Sequence, residues 1–139
     1  MQSKFIKVNL PADYKYCNIL DTCVATMLEQ AKNISESEAL IYDVQLAAQE
    51  VYTNVVRHAY AKCPNGRVTA SLALKQSPRC LVIEFQDTGR SFNPAEIPEP
   101  NLRALQEGGF GLYLIRKLMD EVNYCSKPGN NRWRLVKYL

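Results

Sequence analysis

The chain has 139 residues, 47% of them apolar and 22% charged, with a net charge of +3. That length fits a single domain spanning 1–139 with material for a real core, so neither disulfides nor a structural metal is needed for stability. The charge is too mild, and the Lys and Arg residues too scattered, for a nucleic-acid or membrane surface.

Five cysteines, Cys17, Cys23, Cys63, Cys80 and Cys125, form no C-x-x-C pair. An odd number at such spacing reads as free, buried or half-buried thiols in a reducing compartment. Met1–Lys7 is polar and short, unlike a secretion signal, and the most apolar helical stretch, Ala39–Ala48, is interrupted by Asp43 and Gln45. No segment reads as a membrane span, and the expected location is cytoplasmic.

Phe5–Leu10 alternates, with Ile6, Val8 and Leu10 on one side, and predicts a strand that Pro11 ends. From Asp13 to about Lys32, Ile19, Leu20, Val24, Met27 and Leu28 recur near helical spacing without Gly or Pro. Ser35-x-x-Glu38 is a capping-box signature that opens a long helix to about Tyr60, with Leu40, Val44, Ala47, Val51 and Val55 on one stripe. Val68, Ala70, Leu72 and Leu74 alternate in the next strand, Ser77-Pro78 turns the chain, and Leu81, Ile83 and Phe85 define a partner strand that stops at Asp87. Thr88–Gly109 reads as an irregular loop of about 20 residues, a length that in a compact domain is usually functional. Helical spacing resumes at Leu112, Ile115, Leu118 and Met119, and two strands, Glu121–Ser126 and Arg132–Leu139, flank a Pro128-Gly129-Asn130 turn. The order β-α-α-β-β-loop-α-β-β predicts an α/β (α+β) two-layer sandwich with a mixed sheet and helices on one face.

Glu50, Asn54 and His58 lie at i, i+4 and i+8, and on an α-helix they span roughly 80° along the edge of the apolar stripe. Polar groups there are costly unless paired or used. They read equally as a hydrogen-bonded polar edge or as a site. Asp87 and Gly89 end an apolar strand, which fits a simple Asp-Thr-Gly turn as well as a ligand contact. Gly109-Phe110-Gly111-Leu112 meets the start of an amphipathic helix, where free N–H groups and the helix dipole favour a phosphate; two glycines also suit a tight loop-to-helix junction. No Walker A string or Rossmann G-x-G-x-x-G occurs.

In their order and spacing, these segments resemble the boxes of the Bergerat-fold (GHKL) ATPases. Glu50-x-x-x-Asn54-x-x-x-His58-Ala59-Tyr60 looks like the N-box, Asp87-Thr88-Gly89 like the first glycine box, and Gly109-x-Gly111-Leu112-x-Leu114-Ile115 like the second. The tail, from Leu118-Met119-Asp120-Glu121-Val122 to Arg132–Leu139, looks like the anti-sigma-factor serine kinase branch. Ser91 stands where the first box often carries its last glycine, a departure that leaves the Asp in place.

The resemblance implies ATP and Mg²⁺ as cofactors. Asp87 would accept from the adenine amino group, Asn54 would ligate Mg²⁺, and Gly109, Phe110, Gly111 and Leu112 would offer backbone N–H groups to the phosphates. Glu50 would be the catalytic base, His58 would support the pocket wall or the phosphates, Gly89 would bind the nucleotide with Asp87, and Asn93–Gly108 would cover the nucleotide as a lid. It also implies a protein-serine kinase and anti-sigma factor, which phosphorylates an anti-anti-sigma antagonist and sequesters a sigma factor, commonly as a homodimer. A non-catalytic, ATP-gated binding module is the alternative. A histidine-kinase catalytic domain is a further reading, but the sole histidine, His58, lies inside the N-box.

Overall fold

The computed structural model describes residues 4–31, 37–59, 65–89, 110–127 and 129–139, with residues 58, 59 and 110 described by their backbone alone. Five strands, β1 (Lys4–Pro11), β2 (Arg67–Lys75), β3 (Cys80–Asp87), β4 (Glu121–Lys127) and β5 (Asn130–Tyr138), form one sheet in the order β1-β2-β3-β5-β4. Three α-helices, α1 (Cys17–Glu29), α2 (Ser37–Asn54) and α3 (Phe110–Leu118), complete the described elements with two short helical turns. The Ser35 end of the expected capping box and the Asn93–Gly108 segment lie outside the described residues.

The alternation seen in the sequence places the core. Val68, Ala70, Leu72 and Leu74 of β2, Leu81, Ile83 and Phe85 of β3, and Trp133 and Leu135 of β5 are buried on one face of the sheet. They form one cluster with Leu20, Val24, Met27 and Leu28 of α1, Val44, Ala47, Val51 and Tyr52 of α2, and Leu112 and Ile115 of α3. Burying this much apolar surface is the main driving force of the fold. The opposite face carries Glu84 between Arg132 and Arg134 at 3.9 and 3.7 Å, beside a small apolar group of Cys80, Val82 and Val136.

The sheet is not mixed, as expected from the element order, but antiparallel at all four ladders. Direction reverses with each successive element, and two helices between β1 and β2 return the chain antiparallel. After β3 the chain passes through α3 and β4 before β5 inserts between β3 and β4. Those two strands therefore run parallel without pairing. Linear order cannot reveal this, because it depends on which strand fills the gap.

Local boundaries also shift. The segment expected to be one helix from Asp13 begins with a 3₁₀ turn, Tyr14–Tyr16, in which the Asp13 side chain accepts from Lys15 N–H at 3.1 Å. Ile19, placed on the apolar stripe, is exposed. α2 ends at Asn54 and passes into a π-helical turn, Val55–Ala59, rather than continuing as α-helix to Tyr60. β5 starts two residues earlier than the alternation implied, at Asn130, after Gly129 at φ +71°, a conformation that suits a glycine. Cys17 and Cys23 are half-buried and Cys80 is buried, but Cys125, expected to be shielded, is exposed because β4 is an edge strand. Cys63 lies outside the described residues.

Among the described residues no helix is long and apolar enough to cross a membrane.

Candidate nucleotide site

Glu50 and Asn54 stand one turn apart near the end of α2, both half-buried, as their position beside the apolar stripe demands. α3 packs across this edge. A Cβ on Gly111 would lie 2.7 Å from Glu50 Oε2 and 3.6 Å from Asn54 Oδ1. Only a residue without a side chain lets α3 approach with the Glu50 carboxylate where it is. Gly111 is the second residue of α3, so both polar side chains lie beside the first turn, whose N–H groups have no partner within the helix. The Lys137 ammonium donates to the Leu118 carbonyl at 2.8 Å and secures the other end of α3.

The π turn begins immediately after Asn54. Its wider i→i+5 bonding takes position 58 off the α-helical offset expected for Glu50, Asn54 and His58. The His58 side chain lies outside the described residues, as do Gly109 and the Phe110 side chain. Leu112 buries its side chain in the core.

A second cluster stands at one end of the sheet. Cross-strand register sets Leu10, Val68, Asp87, Asn131 and Ser126 in one row over five strands. Asp87 is 3% exposed and Asn131 1%. Asp87 Oδ1 accepts from Asn131 Nδ2 at 2.9 Å and from Gly89 N–H at 3.0 Å. Asn131 Nδ2 also donates to the Gly89 carbonyl at 2.9 Å, and the Ser126 hydroxyl donates to Asn131 Oδ1 at 2.9 Å. Burial pushes the Asp87 carboxyl above the usual aspartate value, and the donors from Asn131 and Gly89 oppose that rise.

Tyr52 indicates how α2 lies over this end. Its buried hydroxyl is 2.6 Å from the Pro11 carbonyl and 2.7 Å from the Asp13 carbonyl, and it accepts from Asp13 N–H at 3.3 Å. Pro11 ends β1 one residue beyond the row that contains Asp87. The last turns of α2 therefore cross the same end of the sheet. The structure brings Glu50, Asn54 and Gly111 together, and it joins Asp87 to Gly89.

Asn131 and Ser126 were not among the sequence candidates, because Asn131 falls between the Pro128-Gly129-Asn130 turn and the strand expected from Arg132, and Ser126 at the end of the expected strand before the turn. A signal was available: extending the Trp133, Leu135 alternation back by two places an amide at a buried register position, where polar groups need partners.

The structure thus has two polar clusters: a helix N-terminus beside a carboxylate and an amide, and a buried carboxylate at a strand end. The chain belongs to the histidine kinase-like ATPase domain family, whose model matches residues 11–137. Within it the similarity runs to serine-protein kinases RsbW, which bears out the resemblance to anti-sigma-factor kinases. The chain is 31% identical to that of Staphylococcus aureus, over 93% of this chain and 85% of the relative, and 30% identical to that of Oceanobacillus iheyensis, over 90% and 81%. In fold it matches the crystal structure of the RsbU and RsbW domains of Rv1364c from Mycobacterium tuberculosis, with a TM-score of 0.70 and 18% identity. That match covers 98% of this chain but spans only 32% of the other.

Proposed function

We propose that this chain transfers the γ-phosphoryl group of ATP to a serine of an anti-anti-sigma antagonist, and that it sequesters a sigma factor in a partner-switching system. The observation that carries the reading is the approach of Gly111 to Glu50 and Asn54 at the start of α3.

Asp87 would accept a hydrogen bond from the adenine amino group. Guanine presents a carbonyl there, and acceptor facing acceptor is strongly rejected. The backbone N–H groups from Gly109 to Leu112 would hold the phosphates. The Asn54 amide oxygen offers a hard oxygen donor that fits Mg²⁺, a cation that keeps most of its ligands as water and phosphate. Bound there, Mg²⁺ would supply charge neutralisation at the phosphates.

Glu50 would take the proton of the serine hydroxyl as its oxygen bonds to the γ-phosphorus and the bond to the bridging oxygen of ADP breaks. Such a base contributes typically about 10²–10⁴-fold, with positioning supplying most of the rest. Gly89 would bind the nucleotide beside Asp87, and His58 would support the pocket wall. A homodimer in the cytoplasm is the assembly and location that fit the family.

A second reading, an ATP-gated binding module without transfer, is disfavoured by Glu50, since a pure binder needs no carboxylate beside the phosphates. Incubation with Mg-ATP and a cognate antagonist separates the two. Serine phosphorylation of the antagonist is expected. ATP binding with no transfer to any antagonist would leave the module.

A further inference from the structure

We propose that Asn131 is a positioning residue of the nucleobase site: its amide occupies Oδ1 of the Asp87 carboxylate and so turns Oδ2 toward the ligand. This rests on the reading of Asp87 as the adenine acceptor and assigns the neighbour that orients it.

The orientation of the amide follows from its partners. Asn131 Nδ2 meets the Asp87 carboxylate and the Gly89 carbonyl, both at 2.9 Å, and both of these are acceptors only. The NH₂ group must therefore face them. Oδ1 is then left to Ser126, whose hydroxyl has to donate. Asn131 in turn shares Asp87 Oδ1 with Gly89 N–H at 3.0 Å. Among the described residues no hydrogen bond ends on Asp87 Oδ2. A ligand bearing one N–H donor finds the carboxylate turned so that this oxygen accepts.

Folding alone gives little reason for such a row. Among the described residues, this aspartate, 3% exposed, has no cationic partner: its cross-strand neighbours, Val68 and Asn131, are uncharged. A buried carboxylate held only by neutral donors is costlier than an apolar side chain at the same place. Burial favours the protonated acid, which would put a proton where an acceptor is needed, and Asn131 is the larger of the two groups opposing that change. The amide thus sets both the direction and the charge of the acceptor.

The test is calorimetric titration with Mg-ATP and Mg-GTP across pH, alongside thermal melts, for wild type, Asn131→Ala, Asn131→Asp and Asp87→Asn. Asn131→Ala should bind ATP about tenfold more weakly at neutral pH, the scale of one hydrogen bond to a charged group. Its deficit should widen toward acid, because Asp87 then takes a proton more readily. Asn131→Asp, nearly isosteric, sets carboxylate against carboxylate, so the two share a proton and ATP binding should instead fall as pH rises. If Asn131→Ala does not fold, the isosteric variant decides alone. Profiles running parallel to wild type, with only the melting temperature lowered, would overturn the assignment. Wild-type ATP affinity in Asp87→Asn would instead remove the adenine reading beneath it.

Discussion

The Glu50 carboxylate lies so close to Gly111 that a Cβ on residue 111 would stand 2.7 Å from Oε2. That atom is the end of a flexible side chain, so the contact limits where the carboxylate sits more than whether the helices pack. Gly111→Ala should therefore fold. Alanine in place of glycine within α3 even favours the helix by up to about 1 kcal/mol. The displaced carboxylate should lower phosphoryl transfer by about 10²-fold, the order expected for a misplaced reacting group. Single-turnover transfer, with ATP affinity measured in parallel, checks this. Unchanged transfer would mean that the carboxylate position is immaterial.

Glu50→Ala isolates the chemistry from the binding. ATP affinity should stay near wild type while transfer falls by about 10²–10⁴-fold, the usual contribution of a general base. Radiolabelled transfer to antagonist and calorimetry give the two numbers. Equal loss of both would make Glu50 a structural member of the α2–α3 contact.

Asp87→Asn should weaken ATP and stabilise the fold at once. In the native state burial raises the Asp87 pKa above its ordinary value of 3.8. Between that value and the raised one the folded protein binds more protons than the unfolded chain, so this group makes stability fall as pH rises through the window. The neutral amide removes that penalty, and its oxygen still accepts from Asn131 and Gly89. Its NH₂ then takes the place of Oδ2 and faces the adenine amino group donor to donor. We expect a melting temperature at neutral pH equal to or above wild type, ATP binding weaker by about tenfold or more, and a reduced preference for ATP over GTP. A lower melting temperature would show that the charge itself holds the row together.

Much of this site was legible from residue order, because its signals are local. The alternation in Val68–Leu74 and Leu81–Phe85 places Asp87 at the end of an inward-facing strand, and the spacing of Glu50 and Asn54 puts both on one helix edge. Gly111 at the start of α3 follows from the glycine pair meeting a helical pattern. What escaped was set by distant pairing. Nothing near β5 says that it inserts between β3 and β4, and without that neighbour Asn131 has no reason to meet Asp87. The π turn after Asn54 is likewise invisible, since Val55 continues the apolar stripe as an α-helix would. Tyr52 read as one more residue of α2, with no sign that its hydroxyl reaches across to Pro11 and Asp13.

One buried phenol joins α2 to the link between β1 and α1: its single proton is shared between the Pro11 and Asp13 carbonyls, and its oxygen accepts from the Asp13 N–H. Tyr52→Phe keeps the ring in the core but removes this link; because Asp13 N–H still donates to the Pro11 carbonyl at 2.9 Å and Tyr16 N–H to the Asp13 carbonyl at 3.2 Å, the cost is that of one lost hydrogen bond, about 1 kcal/mol. A melting temperature lower by several degrees should result. The pH dependence carries a second signature. Burial raises the Tyr52 pKa above its ordinary 10.0, so the folded state holds this proton longer than the unfolded chain. Native stability should therefore fall as pH rises above about 10 in wild type, and less steeply in Tyr52→Phe. Denaturant titrations at neutral and alkaline pH compare the two slopes. Equal stability of the two proteins at neutral pH would show that water replaces the phenol without loss, and that α2 needs no anchor at this end of the sheet.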